Sequence, residues 1–463
     1  MATSTLGGAA PASPRRALAL FTILAAQLML SMDLLIVLVA LPQIQTDLGF
    51  NPVALTWVLN AFALAFGGLL LLGGRLGDMI GQVRAFRLGL VIFVLASLLG
   101  GLAPTPEVLI LARVLQGVGA ALAGPSVLAL VIAVSRDEAE QARGMSLFIV
   151  VSSLGASAGL ILGGVLTEFL SWRWALLINV PIGILVVMAI GRLVAETHPK
   201  AARLDIVGAV TATLGSVALV YGFISAAENG WTAIGTAVAF GAAALLLTMF
   251  VQVERRHREP LLDLHLLQDR SRVGGLIVMA LIVGMHFALL FLLVQYLQKV
   301  LGYAPLVAGL AYLPLTATVM IISPFVPRLI DRFGARTLLT TGSLLVAASL
   351  IGFAVLGRTG GYFPGVVVPL LVHALGIALV FAPGTVAIMH GVPDEHAGAA
   401  SGLLQMDQQI GGALGIAVIT SIYAFTAAPD RFASGLPAAF GVGAAVAAVA
   451  SLVGWRAISR HRG

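Results

Sequence analysis

The chain has 463 residues, of which 59% are hydrophobic and only 10% are charged, and its mean hydropathy is +1.05. A soluble domain usually has about a quarter of its residues charged, so this composition excludes a soluble globular protein and indicates that lipid is the main solvent. The formal net charge of +6 comes almost wholly from arginine in short loops between apolar runs, a pattern that fits control of membrane topology better than nucleic-acid binding.

Fourteen apolar runs in the sequence are long enough to cross a membrane, because about 20 residues of helix span roughly 30 Å of hydrocarbon. The first run follows a polar tail, residues 1–16, and is too long for the core of a signal peptide, so we interpret it as a retained helix. The predicted spans are 17–41, 53–73, 86–103, 107–134, 144–167, 175–193, 204–225, 232–252, 272–297, 308–327, 337–356, 365–391, 398–425 and 437–458.

The distribution of basic residues predicts that both ends of the chain are cytoplasmic. An even number of spans returns the chain to the side on which it started. Arginine and lysine concentrate in the tail, in the even-numbered loops and after the last span, whereas the odd-numbered loops hold only Arg173, Lys299, Arg358 and Arg431. Because basic loops stay in the cytoplasm, we expect a multi-pass protein of the cytoplasmic (inner) membrane of a bacterium.

One loop pattern occurs twice. The loop after span 2 reads GRLGDMIGQVR (74–84) and the loop after span 10 reads PRLIDRFGAR (327–336), and both contain R-L-x-D-x-x-G. Two similar turns could arise by chance, but a duplicated six-helix unit explains them better, with two helices inserted between the copies. The predicted arrangement is therefore 6+2+6, with a cytoplasmic tail (1–16), an N-terminal bundle (17–193), an inserted linker (194–271) and a C-terminal bundle with a short tail (272–463).

Six motifs in order resemble the major facilitator superfamily, and within it the fourteen-helix drug:proton antiporters. They cover nearly the whole chain: SMDLLIVLVALPQIQTDLG in span 1, the loop GRLGDMIGQVR, LARVLQGVGAALAGPS (111–126), GASAGLILGGVLTEFLSWRWALLINVPIG (155–183), QYLQKVLGYAPLVAGLAYLP and LLQMDQQIGGALGIAV. The resemblance implies an all-α membrane fold, export of drugs and alternating access. Three positions depart from the family pattern, namely Met79 and Gln82 in the loop and Leu160 where the antiporter motif has proline.

Within the spans, three charged residues stand out: Asp33, Arg113 and Asp407. A charge in the middle of a bilayer costs a few kcal/mol even on lenient scales, so these side chains should face the interior of the bundle. In the family, helices 1 and 4 line the central cavity, and the hypothesis is that Asp33 beside Arg113 binds and releases a proton. The alternative is a static ion pair that joins the two helices. Asp407 is a second candidate, unless it only reaches toward water near the helix end.

The loop motif suggests a gate. Gly74 and Gly81 allow a tight turn, and Asp78 is expected to cap a neighbouring helix or to pair with Arg84 or Arg143. The alternative is a turn that only sets topology. Asp331 and Arg332 are the corresponding candidates in the second copy. The glycines of the antiporter motif should permit close helix packing; they are Gly155, Gly159, Gly163 and Gly164.

Polar and aromatic residues in the spans are candidates for binding cargo. Aromatic walls suit lipophilic and cationic molecules, although most such side chains pack against other helices or lipid. His286 could line the pathway, but a buried histidine is more often a helix contact, and no histidine pair has the spacing of a metal site. The candidates are Gln27, Trp57, Asn60, Gln116, His286, Phe287, Gln295 and Gln405.

These features predict a secondary transporter and not an enzyme. The sequence has no cysteine, no G-x-x-x-x-G-K-[ST] and no H-E-x-x-H, so we expect no cofactor and no metal. The interpretation is a monomeric, proton-coupled exporter of lipophilic, cationic small molecules, with protons, cargo and lipid as its partners and no nucleic acid. The alternative is a proton-coupled symporter that imports a small organic solute.

Overall fold

The computed structural model describes residues 14–196, 205–256, 264–355, 361–392, 397–428 and 431–458. Most of the predicted tail (1–13) and part of the predicted linker (197–204), with Lys200 and Arg203, lie outside the described residues. Within them, 14 helices are long and apolar enough to cross a membrane. The predicted number and order of spans are therefore confirmed.

We number these membrane helices α1 to α14. Helix α6 consists of two helical segments and α10 of three. The bounds are α1 Pro14–Leu48, α2 Trp57–Ile80, α3 Gln82–Gly101, α4 Pro106–Val134, α5 Glu138–Phe169, α6 Trp174–Leu177 with Asn179–Leu193, α7 Ile206–Asn229, α8 Ile234–Arg256, α9 Arg270–Lys299, α10 Pro305–Leu310 with Leu313–Ile322 and Val326–Phe333, α11 Ala335–Ala354, α12 Val367–Met389, α13 Ala397–Thr426 and α14 Leu436–Ala457. The end of the bundle at which α1 begins and α14 ends is called the arginine-rich end, and the opposite end the arginine-poor end.

Helix α10 is broken where the sequence shows one apolar run. Each of its three segments has a proline in its first turn, namely Pro305, Pro314 and Pro327. Proline has no N–H to donate and its φ is fixed, so it starts a helical segment more readily than it continues one. The membrane tolerates such breaks where neighbouring helices satisfy the backbone.

The helix packing repeats along the chain. In the first half, α1 packs on α5, α2 and α3 pack on α4, and α3 packs on α6. Eight helices later the same pairs recur, with α9 on α13, α10 and α11 on α12, and α11 on α14. The repeated loop motif therefore accompanies a repeated three-dimensional unit.

A glycine crossing shows how closely the two units correspond. A Cβ added to Gly89 in α3 would lie 2.6 Å from the carbonyl oxygen of Gly119 in α4. A Cβ added to Gly342 in α11 would lie 2.8 Å from the carbonyl oxygen of Gly376 in α12. Small residues let helix backbones approach this closely in membranes. The crossing aligns Gly89 with Gly342 and Gly119 with Gly376.

The inserted pair, α7 and α8, lies against the seam between the halves. Helix α7 packs on α2 from the first half and on α13 from the second, and α8 packs on α7. Near the arginine-poor end, the centre of the Phe223 ring in α7 lies 5.2 Å from the ring centre of Phe240 and 6.1 Å from that of Trp231. The packing agrees with a 6+2+6 arrangement, while the exact domain limits at 193/194 and 271/272 stay predictions.

Candidate functional site

Asp33 and Arg113 form a fully buried ion pair between α1 and α4. Arg113 Nη1 lies 2.6 Å from Asp33 Oδ2, and both side chains have no exposed surface. The other carboxylate oxygen of Asp33 accepts hydrogen bonds from Asn179 Nδ2 in α6, at 2.7 Å, and from Gln116 Nε2, at 3.1 Å. A buried charge is tolerable only when it is paired and hydrogen-bonded, and this network meets both conditions.

The arginine is held from several sides. Its Nε donates to the backbone carbonyl of Val58 in α2 at 2.9 Å, its Nη1 also donates to Gln116 Oε1 at 2.9 Å, and its Cζ stands 4.6 Å from the centre of the Phe62 ring. Gln116 Nε2 in turn donates to Ser97 Oγ in α3 at 2.8 Å. Arg113 Nη2 is buried without a hydrogen-bond partner among the described residues. One guanidinium nitrogen thus remains available to an oxygen acceptor.

A small apolar cavity of about 30 Å³ lies beside this network, between the two halves. Arg113 and Phe62 line it from the first half, together with leucines of α1 and α2, and Phe287 and Gln409 line it from the second half. Asp33 is not among the lining residues, and its side chain has no exposed surface. The only charged group in this wall is therefore one whose charge is already compensated.

At the arginine-poor end the halves are joined directly. Lys299 Nζ in α9 donates to Gln45 Oε1 in α1 at 2.6 Å and to Gln295 Oε1 at 3.0 Å. Gln298 Nε2 donates to the carbonyl of Val39 at 2.8 Å. Beyond the first and ninth helices, the backbone N–H of Leu306 donates to Glu168 Oε2 at 3.0 Å. These contacts close this end of the bundle.

At the arginine-rich end there is a cavity of about 530 Å³ between α2, α4 and α13. Its walls include Gly74, Arg75 and Asp78 of the loop motif, and Gln405 of α13. The loop motif thus lies at the mouth of a space between the halves, which is where a gate would act.

Two carboxylates contact the loop motif. Asp78 Oδ1 accepts from Gln82 Nε2 at 2.9 Å. The carboxylate of Glu196, after α6, accepts from the backbone N–H groups of Val83 at 2.9 Å and Arg84 at 3.0 Å, and lies 3.7 Å from Arg84 Nε. Glu196 therefore caps the N-terminus of α3. The pairing of Asp78 with an arginine, and its part in a gate, stay predictions.

The second copy of the motif has the same backbone but a different environment. Gly81 has φ 99° and Gly334 has φ 78°, and each stands directly before the helix that follows the loop. This left-handed region favours glycine, which explains why both copies keep it. Asp331 and Arg332 are exposed, and their gating role stays a prediction.

The antiporter-motif glycines all lie at close helix contacts. A Cβ added to Gly155 would meet Ser31 at 2.8 Å, and one added to Gly159 would meet the carbonyl oxygen of Met32 at 2.6 Å. Gly163 contacts Ile36 of α1, and Gly164 instead contacts α10 at Pro305. Helix α5 runs unbroken from Glu138 to Phe169 through Leu160, so the helix continues where the family motif has proline.

The predicted cargo residues are spread over several environments. Gln116 belongs to the Asp33 network, and Phe287 lines the apolar cavity. Gln27 Nε2 donates to Ser152 Oγ of α5 at 2.9 Å. The ring centres of Trp57 and of Tyr221, in the inserted pair, are 6.5 Å apart. Asn60 is fully buried, and neither polar atom of its side chain has a hydrogen-bond partner among the described residues.

Four further candidates lie elsewhere. Gln295 belongs to the closed arginine-poor end, and Gln405 faces the cavity at the arginine-rich end. His286 pairs with His373 of α12, with 3.1 Å between His286 Nδ1 and His373 Nε2. Asp407 is half-buried, lines neither of the two cavities described above, and has one carboxylate oxygen buried without a partner among the described residues. Its role stays a prediction.

Sequence reasoning missed four contributors to these sites. Asn179 and Ser97 belong to the Asp33 network, Glu196 caps the loop motif and Lys299 joins the halves. Asn179 stands in the N-V-P-I-G motif, so its polarity inside an apolar span was a usable signal. The other three gave no distinctive pattern. Among the described residues, no group of three or more metal-ligating side chains is close enough to hold a metal ion.

Comparison with known proteins places this architecture in a family. The family model described as Major Facilitator Superfamily matches residues 23–416. Puromycin resistance protein pur8 of Streptomyces alboniger is 40% identical over 416 residues, which cover 88% of this chain and 82% of that protein. Cephamycin export protein CmcT of Amycolatopsis lactamdurans is 38% identical over 395 residues, covering 84% of this chain and 81% of that protein.

A solved structure supports the same fold. The crystal structure of a peptide transporter, POT, in complex with sulfate superposes with a TM-score of 0.71 at 15% identity, covering 94% of this chain and 93% of that one. At this identity the similarity shows the fold alone. The family match and the two relatives carry the assignment: the chain belongs to the Major Facilitator Superfamily and is a membrane transporter of small molecules.

Proposed function

We propose that this protein exports lipophilic small molecules from a bacterial cell across the cytoplasmic membrane, in exchange for protons. The observation that carries the proposal is a buried carboxylate, Asp33, held by Arg113 beside an apolar cavity between the two halves. A titratable group can drive uphill export only if its protonation and the binding of cargo influence each other. Arg113 can connect the two, because it pairs with Asp33 and also lines the small apolar cavity between the halves.

The relatives support the direction of transport. Pur8 is named a resistance protein and CmcT an export protein. The second name states export and the first states resistance to an antibiotic, so export fits this chain better than import. The closed arginine-poor end and the cavity at the arginine-rich end support an inward-facing state, with the arginine-rich end in the cytoplasm.

The charge of the cargo is a finer part of the proposal. Aromatic rings such as Phe62 and Phe287 suit a lipophilic cation, in agreement with the prediction from the sequence. Asp33 can attract a cation only if Arg113 moves away from it, because the guanidinium now covers the carboxylate. Cation binding and loss of this ion pair are therefore expected to occur together.

Purified protein in liposomes tests the proposal. Ethidium is a suitable probe, because its charge is permanent and acidic vesicles do not trap it by protonation. With an acidic interior, an antiporter should accumulate ethidium as protons leave, whereas a symporter should accumulate it only when the exterior is acidic. Nile red is the neutral comparison. Uptake that ignores the pH gradient, or that needs an acidic exterior, would contradict the proposal.

Alternating access predicts that locking the arginine-poor end stops transport. The chain has no cysteine, so the pair Gln45→Cys and Lys299→Cys introduces the only thiols, at positions whose native side chains touch at 2.6 Å. A short bifunctional thiol reagent should abolish ethidium uptake in the double variant. The single variants treated in the same way are the controls. Full transport by the cross-linked protein would show that this end does not open during the cycle.

A further inference from the structure

A second buried polar cluster lies in the second half, around His286 of α9 and His373 of α12. The two imidazoles are 87 residues apart in sequence and stack with 5.3 Å between ring centres and 11° between planes. His373 Nδ1 lies 3.0 Å from Ser349 Oγ of α11. His373 and Ser349 are buried, whereas His286 keeps part of its surface accessible and is followed by Phe287 of the cavity wall.

This cluster occupies the place in the second half that the Asp33 network occupies in the first. The Asp33 network joins α1, α4 and α3, and the histidine cluster joins α9, α12 and α11, which are the same helices one repeat later. The glycine crossing aligns Gly119 with Gly376. Three residues before these glycines stand Gln116 and His373, and each hydrogen-bonds to a serine of the neighbouring helix. The amide of the first half is replaced by an imidazole.

The hydrogen bonds of the cluster have a defined direction. Ser349 Oγ lies 2.7 Å from the carbonyl of Val346, which can only accept, so the serine donates there and accepts from His373 Nδ1. His373 Nε2 is then the acceptor for His286 Nδ1–H. Only His286 Nε2 remains as a free lone pair, on the ring that keeps accessible surface. His286 Nε2 is therefore the lone pair to which a proton can add.

We propose that His286 and His373 form a second proton-binding site, which holds one proton shared between the two imidazoles. The 3.1 Å hydrogen bond suits an imidazole–imidazolium pair, and two positive rings at that distance would repel each other, so the pair titrates as a unit. The part of this pair in export rests on the proposed function. The second half would carry its own proton site, related by the repeat to Asp33.

The surroundings of the pair contain few other titratable groups. One is Tyr312, whose hydroxyl donates to the carbonyl of Leu290, one turn after His286, at 2.9 Å. Asp407 lies about 15 Å away along the bundle, since Gly411 packs on Ala280 and α9 runs parallel to α13. The remaining charged or titratable side chains that the structure describes on α9 to α14 and in the segments beside them are Asp269, Arg270, Arg272, Tyr296, Lys299, Tyr303, Arg328, Asp331, Arg332, Arg336, Tyr362, His390, Tyr423, Arg431 and Arg456.

Histidine-labelled protein in lipid nanodiscs tests the site by ¹⁵N NMR between about pH 8 and pH 4. In the wild type, the signals of His286 and His373 should change together as one proton binds. In His286→Gln or His373→Gln, the titration of the histidine that remains should be altered. His373→Gln recreates the amide of Gln116, so the fold should be kept. His390→Gln is the matched control and should leave the pair unchanged. Imidazoles that stay neutral throughout, or that bind two protons independently, would overturn the proposal.

The same variants separate this inference from the proposed function. In pH-driven ethidium uptake, His373→Gln should lose most of the accumulation while downhill ethidium exchange continues. If the pair titrates but the wild type moves no ethidium with protons, the function fails and the site stands. If the wild type transports but the pair binds no proton, or His373→Gln accumulates ethidium as the wild type does, the histidine site or its part in export is wrong.

Discussion

Asp33→Asn is expected to reduce pH-driven ethidium uptake to the level of empty liposomes while the protein still folds and inserts. Asparagine retains an oxygen that can accept from Asn179 and Gln116, so much of the hydrogen-bond network can persist. It cannot bind and release a proton. Two measurements distinguish a loss of proton coupling from a loss of transport. Uptake into acidic liposomes requires coupling to protons, whereas downhill exchange of ethidium requires only that the protein can transport it.

A matched set of variants distinguishes proton coupling from a static ion pair. Both Asp33→Asn and Asp33→Ala leave Arg113 buried without a counter-ion, a defect that typically costs about 3–5 kcal/mol. Alanine also removes the acceptor for Asn179 and Gln116, so Asp33→Ala should lower thermal stability more than Asp33→Asn does. Asp33→Asn combined with Arg113→Gln removes both charges and should recover stability but not coupling. Ser97→Ala removes only the hydrogen bond from Gln116 and should retain driven uptake.

Two results would contradict this account. If Asp33→Asn still concentrates ethidium against its gradient, Asp33 is not the proton carrier. If the doubly neutral variant regains coupled uptake, the ion pair serves only to join α1 to α4. Either outcome would leave the histidine pair as the remaining buried titratable cluster with a described geometry.

The membrane helices could be predicted from the sequence because bilayer thickness imposes a minimum length on each apolar run. The break in α10 could not, since Pro125 and Pro383 stand inside α4 and α12 without ending them. The presence of a proline alone does not predict whether a helix ends there or continues past it, because this depends on the packing of neighbouring helices. The segments of α10 follow from its contacts with α5 and α12, which appear only in three dimensions.

The candidate site was predictable where a charge stood in an apolar run, as for Asp33 and Arg113. The other members of the hydrogen-bond network could not be predicted, because Asn179 and Ser97 come from other helices and polar residues of this kind are common in membrane spans. His286 and His373 were each visible as single residues. Their contact follows from the repeat. However, the two halves can be aligned residue by residue only with the glycine crossings, which the structure shows and the sequence does not.

Gly159→Leu is expected to have a large structural effect on the contact between α5 and α1. A Cβ at this position would lie 2.6 Å from the carbonyl oxygen of Met32, the residue before Asp33. Backbone cannot rotate away as a side chain can, so α1 and α5 must separate. Overpacking of this kind usually costs about 1–3 kcal/mol, and the displacement of α1 should also disturb the Asp33–Arg113 pair. We expect a lower unfolding temperature and little driven ethidium uptake.

Gly241→Leu is the matched control, because a Cβ there meets nothing within 4 Å and the residue is exposed on α8. It should unfold and transport like the wild type. Gly159→Ala separates the cause further: the first added atom already collides with backbone, so alanine should produce most of the loss seen with leucine. If alanine is tolerated and only leucine is harmful, side-chain volume and not the approach of the two backbones limits this contact, and α1 has more freedom beside Asp33 than the structure indicates.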